Sequence, residues 1–429
     1  MGLFNNPASL MGDQNKSELK VIFLTVFLYL VGFGVIIPLL PMLSRDLGAT
    51  SFELGLLMAI YSLNQFLFSP FWGALSDRVG RRRVLLTCLG LEVFCYIIFA
   101  FARSVEMLIV ARGLAGFFGA SLSTASAAVS DVTSEKERSK GMALIGAAFG
   151  LGFIFGPALG GGLSLWGSKI SSEPYFASTF TLLGVAVLCL VNFLMALRYL
   201  KETRVPAELE ATARDERPGW RRGLLALIDK VGAMRTALGK PVIGTLVLSF
   251  ALASIAMSTM ESTLALYVAD HFGWGLFEIS LGFVYIGVLA TVMQGYLVRK
   301  LLPRYGEKLL LRVGLFLLAL SLGLIGVADE LWILGVAMTI LPFGQGLVNP
   351  SVLGSVSLLA GKHEQGRILG TAQGFSALGR IVGPLVGGWS YARLSHSAPY
   401  YIAAATALVA CVLIVALGSR VPSTGKADA

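Results

Sequence analysis

The sequence predicts an all-α integral membrane protein with twelve transmembrane helices, and three observations support this fold class. The mean hydropathy is +0.76 and only 14% of the 429 residues are charged, outside the range of soluble domains. Apolar stretches long enough to cross the roughly 30 Å hydrocarbon core recur along the chain, and polar, mostly basic segments separate them. The predicted spans cover residues 20–43, 54–75, 84–102, 107–130, 140–166, 176–197, 241–269, 278–298, 309–328, 331–360, 368–392 and 398–418.

The distribution of lysine and arginine predicts the orientation of these spans. With both termini in the cytoplasm, 28 of the 34 basic residues lie on the cytoplasmic side and four on the outside. The positive-inside rule therefore predicts a multi-pass protein of the cell (plasma or inner) membrane with cytoplasmic termini. The same basic surface accounts for the net charge of +9. Its expected partner is the anionic lipid of the bilayer rather than nucleic acid.

A long polar segment divides the chain. Residues 201–219 are charged and contain Pro206 and Pro218, which is typical of a linker. From Trp220 to Leu238 large apolar residues recur at helical spacing, which predicts an amphipathic helix on the inner leaflet or packed under the bundle. We therefore expect an N-terminal six-helix bundle at residues 1–197, a cytoplasmic linker at 198–240 and a C-terminal six-helix bundle at 241–429.

The two halves share sequence features at nearly constant offsets. The matching pairs are Gly80 with Gly306, residues 156–161 with 383–388, and residues 46–53 with 270–278. Such repeated sequence features predict two six-helix repeats related by an axis along the membrane normal. The substrate path is then expected at the interface of the repeats, near the middle of the membrane.

Motifs in three spans and one loop resemble a known family. Residues 73–83 read GALSDRVGRRR, similar to the loop between helices 2 and 3 of major facilitator superfamily transporters. Residues 152–161 read GFIFGPALGG, similar to the fifth-helix signature of the drug/proton antiporter group, which exports tetracycline and multiple drugs. Residues 112–120 and 32–41 resemble the fourth-helix and first-helix motifs of the same group. The chain departs from these antiporters at Tyr29, where they often carry an acid, and this argues against tetracycline as the substrate.

The resemblance implies two structural devices. A cytoplasmic gate would include Gly73, Asp77, Arg78, Gly80 and Arg81 of the loop, with Asp131 and Arg138 near enough to pair with Arg78. A solvated surface pair is the alternative for those last two residues. In the fifth helix, Gly152, Gly156 and Gly160 form a flat stripe that another helix can approach closely, and Pro157 favours a kink. Generic packing of small residues is the alternative for the stripe.

Four charged residues lie well inside the predicted spans: Glu92, Arg112, Glu261 and Arg380. Charge facing lipid is costly, so these side chains must pair or line a wet cavity. Hydroxyls and methionines flank Glu261, and a carboxyl in such a site can exchange a proton near neutral pH. We expect Glu261, Arg112, Arg380 and Glu92 to serve substrate binding or proton coupling. A purely structural pair of Glu261 with either arginine is the alternative, and the resemblance itself implicates Arg112 in coupling.

These features together predict a secondary active transporter that exports small amphipathic molecules or drugs in exchange for protons by alternating access. We expect a monomer with a small-molecule substrate, protons as coupling ion, and neither metal nor cofactor. Proton-coupled uptake of a sugar, organic acid or other metabolite is an alternative, and a transport-inactive receptor or scaffold is another. The sequence shows no clustered His/Cys metal set, phosphate loop or nucleophile motif, so an enzyme is not expected.

Overall fold

The computed structural model describes residues 7–119, 121–133, 138–173, 175–204, 219–359 and 364–420, and this part of the chain contains helices and no strand. The helices are α1 Pro7–Asp46, α2 Ser51–Val79, α3 Arg81–Ala100, α4 Val105–Phe118, α5 Ser121–Val132, α6 Arg138–Ile170, α7 Phe176–Tyr199, α8 Gly219–Leu238, α9 Pro241–Phe272, α10 Leu276–Val292, α11 Val298–Gly326, α12 Leu331–Leu359, α13 Gln365–Arg393 and α14 Ala398–Ala416. A π-helical segment, Met293–Leu297, joins α10 to α11. We call α1–α7 the first half and α9–α14 the second half.

Ten helical stretches in the described residues are long and apolar enough to cross a membrane. One of them, Leu276–Gly326, has 51 residues and contains two crossings, because its backbone leaves the helical conformation at Gly306. The one remaining crossing, eleventh in chain order, is α13, which has 29 residues but is less apolar because it carries Arg367, Arg380 and Arg393. The fourth crossing is built from α4 and α5, which meet around Gly119. The predicted twelve-helix fold is confirmed.

Glycines with positive φ occupy matching turns of the two halves. Gly80 has φ 102° between α2 and α3, and Gly306 has φ 72° at the corresponding bend. Gly48 and Gly273, with φ 81° and 65°, follow the first helix of each half. Residues with a Cβ adopt this backbone region at a cost, so the repeated glycines fix equivalent turns in both repeats.

The glycine stripe of α6 packs against α1 inside the first half. A Cβ added to Gly156 would lie 2.6 Å from Gly34 Cα, and one added to Gly152 would lie 2.7 Å from Leu30 Cβ. A Cβ on Gly160 would lie 2.9 Å from Val35 Cγ1. The stripe therefore permits a close helix crossing, as the sequence indicates.

Close contacts join the two halves at one end of the bundle. The backbone of Gly55 in α2 meets Pro384 in α13, and Gly388 lies against Phe52, whose Cα would be 3.1 Å from an added Cβ. At the same end Arg45 Nη1 forms an ion pair with Asp270 Oδ1 at 2.6 Å. We call this end the opposite face, and the end that carries Gly80 and α8 the linker face.

The linker helix α8 lies beneath the bundle on the linker face. Gly223 contacts Phe71 of α2, and Met234 contacts Gly374 of α13, so the helix bridges the two halves. The side of α8 that faces the bundle differs from the side that its large apolar residues predict. Gly223 and Ala237 lie on the buried side, where small residues let the neighbouring helices approach closely. Leu227 is half-buried against the core, and five large apolar residues are exposed, which suits contact with lipid. They are Leu224, Leu225, Ile228, Val231 and Leu238.

Candidate substrate cavity

A cavity of about 680 Å³ lies between the two halves. Helices α1, α2, α4, α5 and α6 of the first half form one wall, and α9, α12 and α13 of the second half form the other. The linker helix α8 contributes one side chain, Lys230, to the lining. The contacts at the opposite face close one end of the bundle, so the cavity lies toward the linker face. A cavity of this size fits a small organic molecule.

The second-half wall carries Glu261 on α9 and Arg380 on α13. The Arg380 side chain is exposed to the cavity, and its Nη1 donates a hydrogen bond to Ser376 Oγ at 3.2 Å. Glu261 and Arg380 interact electrostatically, but within the described residues they form no ion pair. Ser376 Oγ also lies 2.8 Å from Ser254 Oγ. This wall therefore carries a carboxyl group and a guanidinium group that interact electrostatically without a direct ion pair.

The first-half wall carries six aromatic side chains and holds Arg112, which is buried with an exposed fraction of 4%. The Arg112 guanidinium lies 4.4 Å from the Tyr61 ring centroid and 6.0 Å from that of Phe33. The hydroxyls of Tyr61 and Tyr29 are 3.0 Å apart. Tyr29, where the sequence departs from the first-helix motif, thus takes part in a hydrogen bond on the cavity wall.

Lys230 extends from α8 to the linker-face end of the cavity. Its ammonium lies 3.9 Å from the Phe66 ring centroid, which is a cation–π contact. Burial and, to a smaller extent, the nearby Arg380 guanidinium lower the pKa of Lys230 to about 8. The side chain is therefore still mostly cationic at neutral pH.

Glu92, the remaining predicted coupling residue, does not line this cavity. It lies on α3 inside the first half, where Cys88, Cys95 and Tyr96 are close enough to feel its charge. The structure thus brings Glu261, Arg112 and Arg380 to one cavity and leaves Glu92 apart from them.

The predicted gate residues form an ion-pair cluster on the linker face. Arg81 bridges two acids, with Nη1 2.6 Å from Asp77 Oδ1 and Nε 3.2 Å from Asp131 Oδ2. Arg204 Nη1 adds a third pair, 3.0 Å from Asp77 Oδ1. The expected pair between Arg78 and Asp131 is not formed, because Arg81 turns inward beyond Gly80 while Arg78 is exposed. The Arg138 side chain lies outside the described residues, and Gly73 has open space where a Cβ would be.

Sequence reasoning missed two residues that complete these features. Glu202 accepts hydrogen bonds from the backbone N–H groups of Arg81 and Arg82 at 2.8 and 3.2 Å, so it caps the first turn of α3. Lys230 was hidden within a linker read only as amphipathic. A signal for it was Gly223, seven residues earlier and therefore on the same face of the helix, which marks the side of α8 that meets the bundle. The linker acids and bases are thus part of the structured linker face.

Comparison with known proteins agrees with this architecture. The sequence model of the Major Facilitator Superfamily matches residues 22–376 and 295–429. The chain is 30% identical over 377 residues to the class C tetracycline resistance protein of Escherichia coli, covering 87% of this chain and 89% of that protein. It is 26% identical over 403 residues to the quinolone resistance protein NorA of Staphylococcus aureus strain COL, covering 93% and 96%. The crystal structure of the human organic anion transporter MFSD10 superposes with a TM-score of 0.69 at 26% identity, covering 93% of this chain and 99% of that one. The chain therefore belongs to the Major Facilitator Superfamily of membrane transporters.

Proposed function

We propose that this transporter exports small amphipathic molecules in exchange for protons by alternating access. The observation that carries the proposal is the cavity between the halves, which holds Glu261 and Arg380 without an ion pair among the described residues. Contacts at the opposite face close one end of it. A cavity reachable from one side is one of the two states that alternating access requires. The second state would break the contacts at the opposite face and form new ones on the linker face.

Glu261 is the proposed proton carrier. When ionised, its carboxylate attracts the Arg380 guanidinium across the cavity. When protonated, it releases Arg380, which keeps the neutral Ser376 hydroxyl as its partner. The two arrangements differ by one proton and by one pairing, and a proton can therefore bias the equilibrium between conformations.

The basic linker face is proposed to be cytoplasmic, because positive charge is retained on that side of the membrane. The proposed location is the plasma membrane, with both termini in the cytoplasm. The relatives in Escherichia coli and Staphylococcus aureus are resistance proteins, which supports export across a cell membrane. These relatives are named for resistance to tetracycline and quinolones, and the structural relative is named for organic anions. All three names refer to small organic molecules, which supports a substrate of that kind.

The test is transport in proteoliposomes with the linker face outside and an acidic lumen. Export by antiport predicts that tetracycline, a quinolone, an aromatic carboxylate or a lipophilic cation accumulates in the lumen as protons leave. Glu261→Gln should abolish accumulation but retain exchange of labelled for unlabelled substrate, because exchange needs no net proton movement. Glu92→Gln is the matched control, since it removes the other membrane acid without touching the cavity. Undiminished accumulation by Glu261→Gln would reduce Glu261 to a structural residue.

Proton-coupled uptake of an organic acid is the second candidate function. One observation favours it, namely that cationic side chains outnumber carboxylates in the described lining of the cavity. In the same vesicles, uptake predicts that the acidic lumen drives preloaded substrate outward together with protons. The direction of net substrate movement therefore separates the two candidates in one experiment.

A further inference from the structure

The charges that line the cavity are unbalanced. Three cationic side chains reach it from three separate elements: Arg112 from α4, Lys230 from α8 and Arg380 from α13. Glu261 is the single carboxylate in the part of the lining that the structure describes. The lining therefore has an excess of two positive charges when Glu261 is ionised and of three when it is protonated. Such an excess repels cations and attracts anions.

Arg112 has no anionic partner in the described structure. Its Nη2 lies 3.8 Å from Met58 Sδ, a weak acceptor, and its guanidinium lies over the rings of Tyr61 and Phe33. Its Nε is buried without a hydrogen-bond partner. A guanidinium carries five N–H donors, and leaving them unused in a buried position is costly. The geometry at Arg112 therefore suits a ligand that brings acceptor oxygens.

Lys230 and Arg380 both line the cavity, and the Lys230 ammonium lies near enough to the Arg380 guanidinium to feel its charge. The Lys230 ammonium lies over the Phe66 ring, and its Cε would be 3.5 Å from a Cβ added to Gly374 of α13. Two cations held near each other are stabilised by an anion placed between them. The linker helix thus supplies part of the cavity's charge and is more than a connection between the halves.

We propose that the substrate is an amphipathic organic anion whose carboxylate or similar group is bound by Lys230, Arg380 and Arg112. Its apolar body would pack on the aromatic wall formed by Phe33, Phe66, Phe149 and Phe153, which line the same cavity. This inference rests on the proposed transport function but not on its direction. It makes Lys230 a residue that determines specificity for the charge of the substrate.

The test compares three probes that share one aromatic body: 1-naphthoate, the neutral 1-naphthamide and 1-naphthylmethylammonium. Binding to the purified full-length chain is measured by equilibrium dialysis at pH 7. We expect naphthoate to bind at least about tenfold more tightly than the ammonium, because it gains charge-assisted hydrogen bonds. Equal affinities, or tighter binding of the ammonium, would overturn the inference.

Substitutions of residues in the cavity test whether the preference for naphthoate arises there. Lys230→Met and Arg112→Met should each weaken naphthoate binding by about tenfold. Lys230→Arg should retain the affinity, which shows that a loss in Lys230→Met is not caused by misfolding. The matched control is Arg235→Met, an exposed basic residue on the same helix. Unchanged naphthoate binding in both Lys230→Met and Arg112→Met would overturn the proposal.

The pH profile gives an independent readout. The charged or titratable groups that share the cavity with Lys230 are Tyr29, Tyr61, Arg112, Glu261 and Arg380. Because the Lys230 ammonium deprotonates near pH 8 in the unliganded protein, naphthoate affinity should fall as the pH rises above about 8. Lys230→Arg should abolish this fall, since a guanidinium stays charged. An identical fall in both proteins would remove Lys230 from the site.

These outcomes are separate from those that test transport. Absence of anion preference with intact gradient-driven transport would refute the anionic substrate class and leave the exporter in place. Conversely, selective naphthoate binding without any proton-driven transport would refute the proposed coupling and leave the anion site in place.

Discussion

The first and fifth helices of each repeat cross at a glycine stripe, but the two crossings are chemically different. In the first half, the stripe of α6 meets Leu30, Gly34 and Val35 of α1, which are backbone and apolar atoms. In the second half, the stripe of α13 meets hydroxyls of α9. Ser258 Oγ donates to the Gly379 carbonyl at 3.1 Å, and Thr259 Oγ1 donates to the Gly383 carbonyl at 3.0 Å.

This difference indicates that the two repeats have different roles. The polar crossing continues into Ser254, Ser376, Arg380 and Glu261, where hydrogen-bond partners can be exchanged. The apolar crossing offers no such partners, and its contacts depend only on shape. Polar side chains near the second-half crossing can therefore change hydrogen-bond partners, whereas the α1–α6 crossing of the first half is apolar and closely packed.

The largest expected effect comes from filling the stripes. Gly156→Ala should destabilise the protein by about 1–3 kcal/mol, because the new Cβ meets the backbone of Gly34, which cannot move aside locally. Gly383→Ala should destabilise it by a similar amount, since Ile255 O would lie 2.6 Å from the Cβ. The measurement is the thermal unfolding midpoint of purified protein in detergent.

Two further variants test whether the clash at the stripe causes the loss of stability. Gly162→Ala on α6 is the control, because a Cβ there has nothing within 4 Å. Adding Ser258→Ala to Gly383→Ala should recover part of the lost stability, since one of the clashing neighbours is that flexible hydroxyl. A destabilised Gly162→Ala, or a Gly156→Ala as stable as the parent, would show that stripe geometry does not govern stability. The stripe lies within a half rather than between halves, so stability is the quantity to measure.

A smaller effect is expected at the repeated turns of the linker face. The turn at Gly80 is held by ion pairs of Asp77 and Arg81, whereas the turn at Gly306 is followed by Glu307, which is 5% exposed. The Asp77 side chain is 45% exposed, so Asp77→Asn should cost at most about 1 kcal/mol. That energy corresponds to about a fivefold change in the equilibrium constant between the inward-facing and outward-facing states, and the transport rate should fall accordingly.

Spin-label distances across the linker face would measure this shift. Arg78→Gln is the matched control, because Arg78 is an exposed charge in the same loop with no ion pair in the described structure. Equal distance distributions in Asp77→Asn and the parent would show that the cluster does not influence the conformational equilibrium.

Much of this architecture was predictable because membrane insertion leaves strong signals. Twelve apolar stretches, the retained positive charge and the turn at Gly80 follow from the cost of exposing polar groups to lipid. The gathering of Glu261, Arg112 and Arg380 in one cavity was also expected, since charge inside a bundle must avoid lipid. These inferences use only the local sequence and the energetic cost of placing polar or charged groups in lipid.

The contacts that depend on side-chain reach were less predictable. Arg78 and Arg81 are both arginines in one loop, and only the direction of the chain after Gly80 decides which of them meets Asp131. Lys230 lies in a helix whose position depends on packing of Gly223 and Met234 against two other helices. Glu202 was assigned to a linker, yet it caps α3 from more than a hundred residues away. Periodicity carries no information about such long-range partners.

The smallest predicted effect tests whether hydroxyls distinguish the two crossings. Thr259→Val keeps the shape of the side chain but removes the hydrogen bond to the Gly383 carbonyl, and it should cost about 0.6 kcal/mol, the average for such bonds between membrane helices. Val35→Thr is the reverse change in the first half, where the new hydroxyl can bond only within its own helix and should alter stability by a few tenths of a kcal/mol or less. Unfolding midpoints of the two variants, measured side by side, decide the point. No decrease in Thr259→Val would mean that the polar crossing of α9 and α13 is held by shape alone, as the crossing of α1 and α6 is, and that the hydroxyls near Glu261 serve the cavity rather than the packing.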